Sequence, residues 1–463
     1  MEHVVNPLGV EKISKLIWKF AIPGFILYIV TASYNLIDQI FIGQTVGVVG
    51  MAATNINFPL STTLNAVGAL IGIGAAARFN LKLGAGDKRI ACRIVGNAIT
   101  SIAIIGVIFT VLIFVFMKPI LLMFGATPEI MPYALSYTRV TAIGTPFLMV
   151  LYVVNNLIRA DGNPIFATIS MSIGAVLHVG FTAVFMFVFD MGLAGAALGT
   201  IVGQFISAFL GLYYVLKKFK SVKLRKKHYK LSWPILASIL VIGMAPFFTQ
   251  LTATVSQVVL NNMMKIYGGA SIYGAEIPIA VSGSMNKINI ICMSLTLGVS
   301  QGIAPLLSFN YGAKNFLRVR ETIHRAMVIV LIFSSCVFVC FQVFPVQIAR
   351  IFGETDPLYL EFATKFLRIY FFMTFINGVQ FVTTTVYPSI GKPQIGAFVG
   401  LSRQVIFLIP FMVLLPIKMG LAGVIYAAPI ADGLAAITSI ILITRELKIM
   451  KRAGQHAAPR LND

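Results

Sequence analysis

The sequence predicts an all-α polytopic membrane protein with about twelve transmembrane helices in two six-helix, pseudo-symmetric lobes. Three observations predict it. The 463-residue chain is 58% hydrophobic and only 11% charged, where a soluble domain carries roughly 25% charged residues. Its apolar runs are each near or above the ~20 residues that cross a bilayer. Short motifs recur at a nearly constant offset of 228 residues, as when Met191-Gly192-Leu193-Ala194-Gly195 returns as Met419-Gly420-Leu421-Ala422-Gly423.

The apolar runs fall at about 16–42, 51–77, 91–116, 136–158, 165–189 and 193–216, and again at 234–264, 278–307, 323–344, 362–388, 395–415 and 420–444. Pro23 and Pro246 are expected to kink the first helix of each half. The first twenty residues are mixed polar. The apolar run behind them is longer than the ~7–15 residues of a signal core. They are read as a lead-in to the first span, not as a cleavable signal.

Charge gives an orientation. The net charge of +21 comes from 36 Lys plus Arg against 15 Asp plus Glu. In a soluble protein that excess would suggest nucleic acid. Here most of the cations cluster in the lead-in, around 78–93, in 217–230, in 314–325 and after 444. With an even number of spans these stretches share one side, which the positive-inside rule assigns to the cytoplasm. Both termini are then cytoplasmic. The 217–230 stretch, KKFKSVKLRKKHYK, is expected to meet anionic lipid heads. The expected organisation is a first lobe at 1–216, a basic linker at 217–233, a second lobe at 234–452 and a tail at 453–463.

The repeat shows what kind of membrane protein this is. Gly84-Ala85 returns as Gly312-Ala313, Phe124-Gly125 as Phe352-Gly353, Arg139 as Arg368 and Gly162-Asn163-Pro164 as Gly391-Lys392-Pro393. Six helices is an even number, so the halves are parallel repeats about an axis along the membrane normal. Such repeats place a cavity between lobes whose rocking gives alternating access. That is a transporter plan.

Other classes find little support. No Walker A sequence, His-Glu-x-x-His or Gly-x-Ser-x-Gly motif is present, so neither an enzyme nor an ATP-driven pump is expected, and no cofactor or metal. Cys92, Cys292, Cys336 and Cys340 lack metal-site spacing and are read as reduced core residues.

An ionisable group inside a span costs roughly 2.5–3.5 kcal/mol on insertion scales, so each is a functional candidate. Asp38 and Asp432 are the acids clearly inside. Asp38 lies one turn from Tyr34. A carboxylate removed from water holds a proton more readily and can trade it, although a packed structural carboxylate fits the same position. Arg403 and Asp432 lie at similar depth on adjacent helices and are expected to form an ion pair, structural or gating. Lys287 either faces a wet cavity or snorkels to the interface. In the cavity it would suit a substrate bearing an anionic group. The polar residues Asn35, Asn156, Gln204, Gln257, Asn261, Asn286 and Lys287 are the candidate lining of a substrate cavity. The 36 Phe, 15 Tyr and 19 Met supply surfaces that re-pack around varied ligands.

At several points the residues resemble a known family. Tyr34-Asn35-Leu36-Ile37-Asp38 precedes Phe41-Ile42-Gly43, and Arg159-Ala160-Asp161-Gly162-Asn163-Pro164 follows helix 4. Gly192–Ala197 with Gln204, Gln301-Gly302 with Phe309-Asn310-Tyr311-Gly312-Ala313, Arg403-Gln404, and Pro429-Ile430-Ala431-Asp432 follow in order. The chain resembles the MATE family, multidrug and toxic compound extrusion, in its bacterial MepA-like branch. The resemblance implies efflux of bulky, often cationic compounds from the cytoplasm across the inner membrane by a monomer, driven by proton or sodium. It also implies an ion-coupling role for Tyr34, Asp38 and Thr200. One departure stands out. Where the family places Asn, then Asp-Pro, in helix 5, this chain has His178, Thr182 and Ala183. Sodium wants a cage of hard oxygens, while an Asp–His arrangement suits a proton. The expectation is proton antiport using Asp38 and His178. A satisfied interhelical His178, a weakly coupled facilitator and a lipid-linked precursor flippase of the same superfamily remain alternatives.

Overall fold

The computed structural model describes residues 7–457 apart from 125, 127, 129, 275 and 351–356; within this range the side chains at 32, 35, 36, 48, 49, 52, 276 and 453–457 are not described. Among the described residues there is no strand. Twelve membrane elements are numbered here in chain order. In the first half these are α1 Ile13–Thr45, α2 Val48–Gly84, α3 Lys88–Met123, α4 Met131–Ala160, α5 Pro164–Ala183 and α6 Gly192–Tyr213. In the second half they are α7 Trp233–Gly269, α8 Glu276–Gly302, α9 Phe316–Val343, α10 in two pieces, α11 beginning at Pro393 and α12 Leu421–Ala457. Eleven described helices are long and apolar enough to cross a membrane. The two pieces of α10, Pro357–Tyr370 and Thr374–Ser389, meet at 53° and make the twelfth span.

Local sequence sets the ends of these helices. The Asp87 carboxylate accepts from Ile90 N to start α3, and the Asn163 amide oxygen accepts from Phe166 N to start α5. Pro164 and Pro393 occupy first-turn positions of α5 and α11, where a missing N–H costs nothing. Three stretches are π-helical: Val184–Val188 after α5, Tyr214–Lys218 after α6, and Ser402–Leu408 inside α11. Apolar periodicity alone did not announce these irregularities or the break in α10.

The expected duplication extends to the backbone. Gly192 and Gly420 have φ of +53° and +57°, and Gly162 and Gly391 have +88° and +80°. Gly86 at +81° corresponds to Lys314 at +58°. The helix caps that follow, Asp87 and Asn315, match as well. The Phe124-Gly125/Phe352-Gly353 repeat lies partly outside the described residues.

The chain forms two compact units, Met1–Val10 with Ile26–Phe247 and Glu11–Phe25 with Phe248–Asp463. Their boundaries fall just after Pro23 and Pro246. Both helices run on past these prolines. The linker belongs to the first unit. Within the first unit, a Cβ on Gly243 would overlap the Leu70 carbonyl. Within the second, a Cβ on Gly24 would lie 3.1 Å from Gly298 Cα. Glycines here permit close backbone approach, as small residues do between membrane helices.

Apolar faces point outward as a lipid solvent requires. On α3, Val107, Val111 and Val115 are exposed, with no water-soluble partner needed in a bilayer. All four cysteines are free. Cys92 is buried, but Cys336 and Cys340 are exposed on α9, which corrects their reading as core residues. The i, i+4 face they share looks outward and has no packing to do.

Candidate functional site

The first unit assembles its candidate site through small residues. A Cβ on Gly199 would lie 2.1 Å from Thr182 Oγ1, and one on Gly203 would lie 2.7 Å from His178 Cβ. These two glycines, one turn apart on α6, let α5 press against it and carry His178 inward. His178 Nε2 lies 3.0 Å from Asp38 Oδ2 and 3.1 Å from Thr200 Oγ1. The Thr200 hydroxyl donates to the Ala196 carbonyl at 3.0 Å, so its lone pairs face the ring. The edge of Tyr34 meets the His178 ring at 5.3 Å between centroids.

The 3.0 Å spacing fits a hydrogen bond in either of two arrangements. With Asp38 ionised, Nε2 carries the hydrogen and donates to Oδ2. With Asp38 protonated, its O–H donates to a bare Nε2. Asp38 Oδ1 is buried without a hydrogen-bond partner, so the carboxylate is only half satisfied. Thr182 Oγ1 is also buried and unpartnered. The structure brings Tyr34, Asp38, His178 and Thr200 together, and packs Thr182 on the same helix pair.

The polar candidates divide. Gln204 and Thr200 line a cavity of about 60 Å³ with Asn57, Tyr137 and Thr141. Asn57 and Tyr137 were missed in the sequence. Asn57 accepts from the buried Thr138 hydroxyl at 3.3 Å, and Tyr137 lies within electrostatic reach of Asp38. A polar Asn inside an apolar run was the available signal for the first, whereas nothing singled out one Tyr among fifteen. Asn156 donates to Tyr152 O at 2.9 Å and Asn286 to Ser282 O at 2.9 Å, so both spend their amide N–H on their own helices. Gln257 and Asn261 are exposed and bonded to each other at 3.0 Å. Lys287 is exposed, with no ion pair or hydrogen bond among the described residues. The side chain of Asn35 lies outside the described residues.

Arg403 and Asp432 meet in the second unit. Arg403 Nε donates to Asp432 Oδ1 at 2.6 Å, and Asn377 Nδ2 donates to Oδ2 at 2.9 Å. Asn377, just past the break in α10, is not among the sequence candidates. Among the described residues no group of three His, Cys, Asp or Glu could hold a metal.

Elsewhere in the first unit, Asp161 holds the basic linker. Its carboxylate accepts from the Tyr214 hydroxyl at 2.9 Å, Lys220 N at 2.9 Å and Ser221 N at 2.8 Å. Burial pushes its carboxyl up, while those three donors favour the ionised form. Asn97 binds the other end of the linker through Lys230 O at 3.2 Å and Ser232 N at 2.7 Å. Between them His228 Nδ1 accepts from Arg225 N at 3.0 Å. Burial, then the nearby charges of Lys227, Arg225 and Arg93, hold His228 below the ordinary histidine value.

Comparison with known proteins follows the same lines. A family model described as MatE matches residues 23–184 and 246–414. The multidrug export protein MepA of Staphylococcus haemolyticus (strain JCSC1435) is 26% identical over 94% of both chains. MepA of Staphylococcus aureus (strain N315) is 25% identical over 93% of both. The MATE multidrug transporter DinF-BH, solved as a complex with a ligand, is 31% identical, with a TM-score of 0.87 over 96% of this chain and 97% of its own. A MATE in complex with MaL6 shares the fold at 22% identity, with a TM-score of 0.90.

A duplicated, multi-pass helical protein whose relatives are multidrug exporters is a membrane transporter and not an enzyme. The matches span both repeats, and the chain belongs to the MATE family of efflux transporters.

Proposed function

We propose that this chain exports small, amphipathic organic compounds across a bacterial cytoplasmic membrane by proton antiport, through alternating access of its two lobes, with both termini in the cytoplasm. The observation that carries the reading is the 3.0 Å contact between Asp38 and His178, with Thr200 at 3.1 Å. A carboxylate and an imidazole sharing one proton can take a second from outside and lose it inside. The family's second carboxylate, which would complete a sodium cage, is Thr182 here, and one carboxylate with an imidazole is a poor set for a hard cation. The relatives' role, multidrug export, supports organic substrates.

The test is transport in proteoliposomes under a pH gradient without sodium, then under a sodium gradient at fixed pH. The pH gradient alone should drive wild-type export, and His178→Ala should lose the wild-type pH dependence. Driving by sodium alone, or an unaltered pH profile in His178→Ala, sinks the proposal. A parallel lipid-flipping assay separates export from flippase activity: flipping without dye efflux would favour the flippase.

A further inference from the structure

The second unit contains a cluster that proton coupling does not use. Asn377 lies just past the break in α10, Arg403 lies in the π-helical stretch of α11, and Asp432 lies one turn after Pro429 in α12. Three helix irregularities therefore converge on one group of side chains. Irregular turns of this kind recur at functional sites. Arg403 is about ten residues, or roughly 15 Å of helix, from the start of α11. That is near the middle of a hydrocarbon core roughly 30 Å thick.

The hydrogen bonds in this cluster are unevenly divided. Both carboxylate oxygens of Asp432 are occupied, one by Arg403 Nε and one by Asn377 Nδ2. A structural Arg–carboxylate pair usually closes as a two-point fork. Here the arginine engages through Nε alone. No hydrogen bond from its Nη1 or Nη2 is found among the described residues, and the side chain is partly accessible. The Arg403 side chain is 23% accessible and that of Asp432 is 4%. The arginine is thus the more accessible partner and the carboxylate the more enclosed one. Lys287, also about ten residues into its span, is a further cation of this unit, with no ion pair among the described residues.

We propose that Arg403 is a binding site for the anionic group of a substrate, a carboxylate on an otherwise apolar body, with Asp432 and Asn377 as positioning residues that hold the guanidinium by its Nε edge. A planar carboxylate matches the two free terminal nitrogens in a way a point cation cannot. The engaged Asp432 offsets one of the two positive charges, so the unit keeps a net positive charge at that depth. This proposal rests on the transporter reading only for the word substrate; binding is tested apart from transport.

The probes are a carboxylate-bearing rhodamine and its ethyl ester, which share one xanthene body. Affinity for each is measured by fluorescence polarisation on purified protein in zwitterionic lipid–detergent micelles. Wild type should bind the acid about tenfold tighter than the ester, in keeping with a charge-assisted two-point contact. The double variant Arg403→Met/Asp432→Leu leaves no buried charge unpaired; in it the acid and ester should bind alike, with ester affinity within about twofold of wild type. Arg403→Gln keeps a hydrogen bond to Asp432, removes the charge and should lose the same preference, so it decides the matter should the double variant not fold. A wild-type preference for the ester, an acid-to-ester ratio unchanged in the variants, or an equal loss of both affinities would each overturn the assignment. If neither dye is transported while the acid preference holds, the transport reading fails and this one stands.

Discussion

The two lobes share one backbone plan but carry opposite chemistry. Matched positions adopt the same unusual φ, as at Gly192 and Gly420, and start helices with matched caps, as at Asp87 and Asn315. Their interiors differ. The first lobe holds Asp38 against His178, with one carboxylate oxygen unpartnered. The second holds an arginine whose acid is fully engaged while its fork is not. Gln204 of the first lobe corresponds, at the repeat offset of 228, to Asp432 of the second. Duplication kept what the helices need in order to pack, and left each interior free to specialise. We infer that ion coupling lives in the first lobe and an anion preference in the second.

The strongest way to break this comparison is Asp38→Asn. It should reduce uphill export in proteoliposomes to the passive leak, with an unchanged melting temperature; full activity would move coupling out of the first lobe. Next comes Arg403→Ala, which leaves Asp432 buried without its cation. It should cost about 3–5 kcal/mol, read as a clear fall in thermal stability. No change would mean that the pair contributes nothing to folding.

A third test concerns the linker, for which the second lobe shows no counterpart. His228 is held below its ordinary value, so the folded state binds fewer protons than the unfolded chain in the acid range. Stability then rises with pH, and the docking contribution is lost as pH falls through the histidine range. Tryptic cleavage at the linker, normalised at each pH to that of an unstructured peptide, should quicken between about pH 7 and pH 5, and His228→Ala should cleave fast at both. A flat wild-type profile would remove His228 from linker docking. A smaller effect is expected from Lys287→Glu, which should shift the acid-to-ester preference by about threefold toward the cationic ester. An unchanged profile would remove Lys287 from the site. Smallest of all, Lys314→Gly should stabilise the second lobe by roughly 0.5–1 kcal/mol, because Lys314 adopts the left-handed conformation that Gly86 supplies in the first. Loss of stability would mean that the Lys314 side chain makes a contact worth more than its strain.

Much of the architecture was legible in the sequence. Twelve spans followed from apolar length, and the duplication followed from five motif matches. Asp38 could be singled out because acids are rare inside spans, and His178 because it stands where the family pattern places an Asn. What stayed hidden had no periodic signature. The bend between Tyr370 and Thr374 and the π-helical turn around Arg403 change the helix phase locally, and Asn377, which bonds Asp432, lies just past that bend. Tyr137 was one aromatic among many. Cys336 and Cys340 were misplaced because an apolar residue in a membrane helix can face lipid as well as protein.

The assignment of Glu11–Phe25 to the second unit has a consequence for biogenesis. Gly24 must come against Gly298, and a stretch of chain longer than the whole first lobe separates them. At 5–20 residues per second, the ribosome takes on the order of tens of seconds to deliver that partner. Through that interval the leading end of α1 sits in the membrane with its packing face open, so the half of the molecule made first waits for the half made last. Nascent chains halted before α8 should be captured there by whatever insertase or chaperone shields unpaired membrane helices.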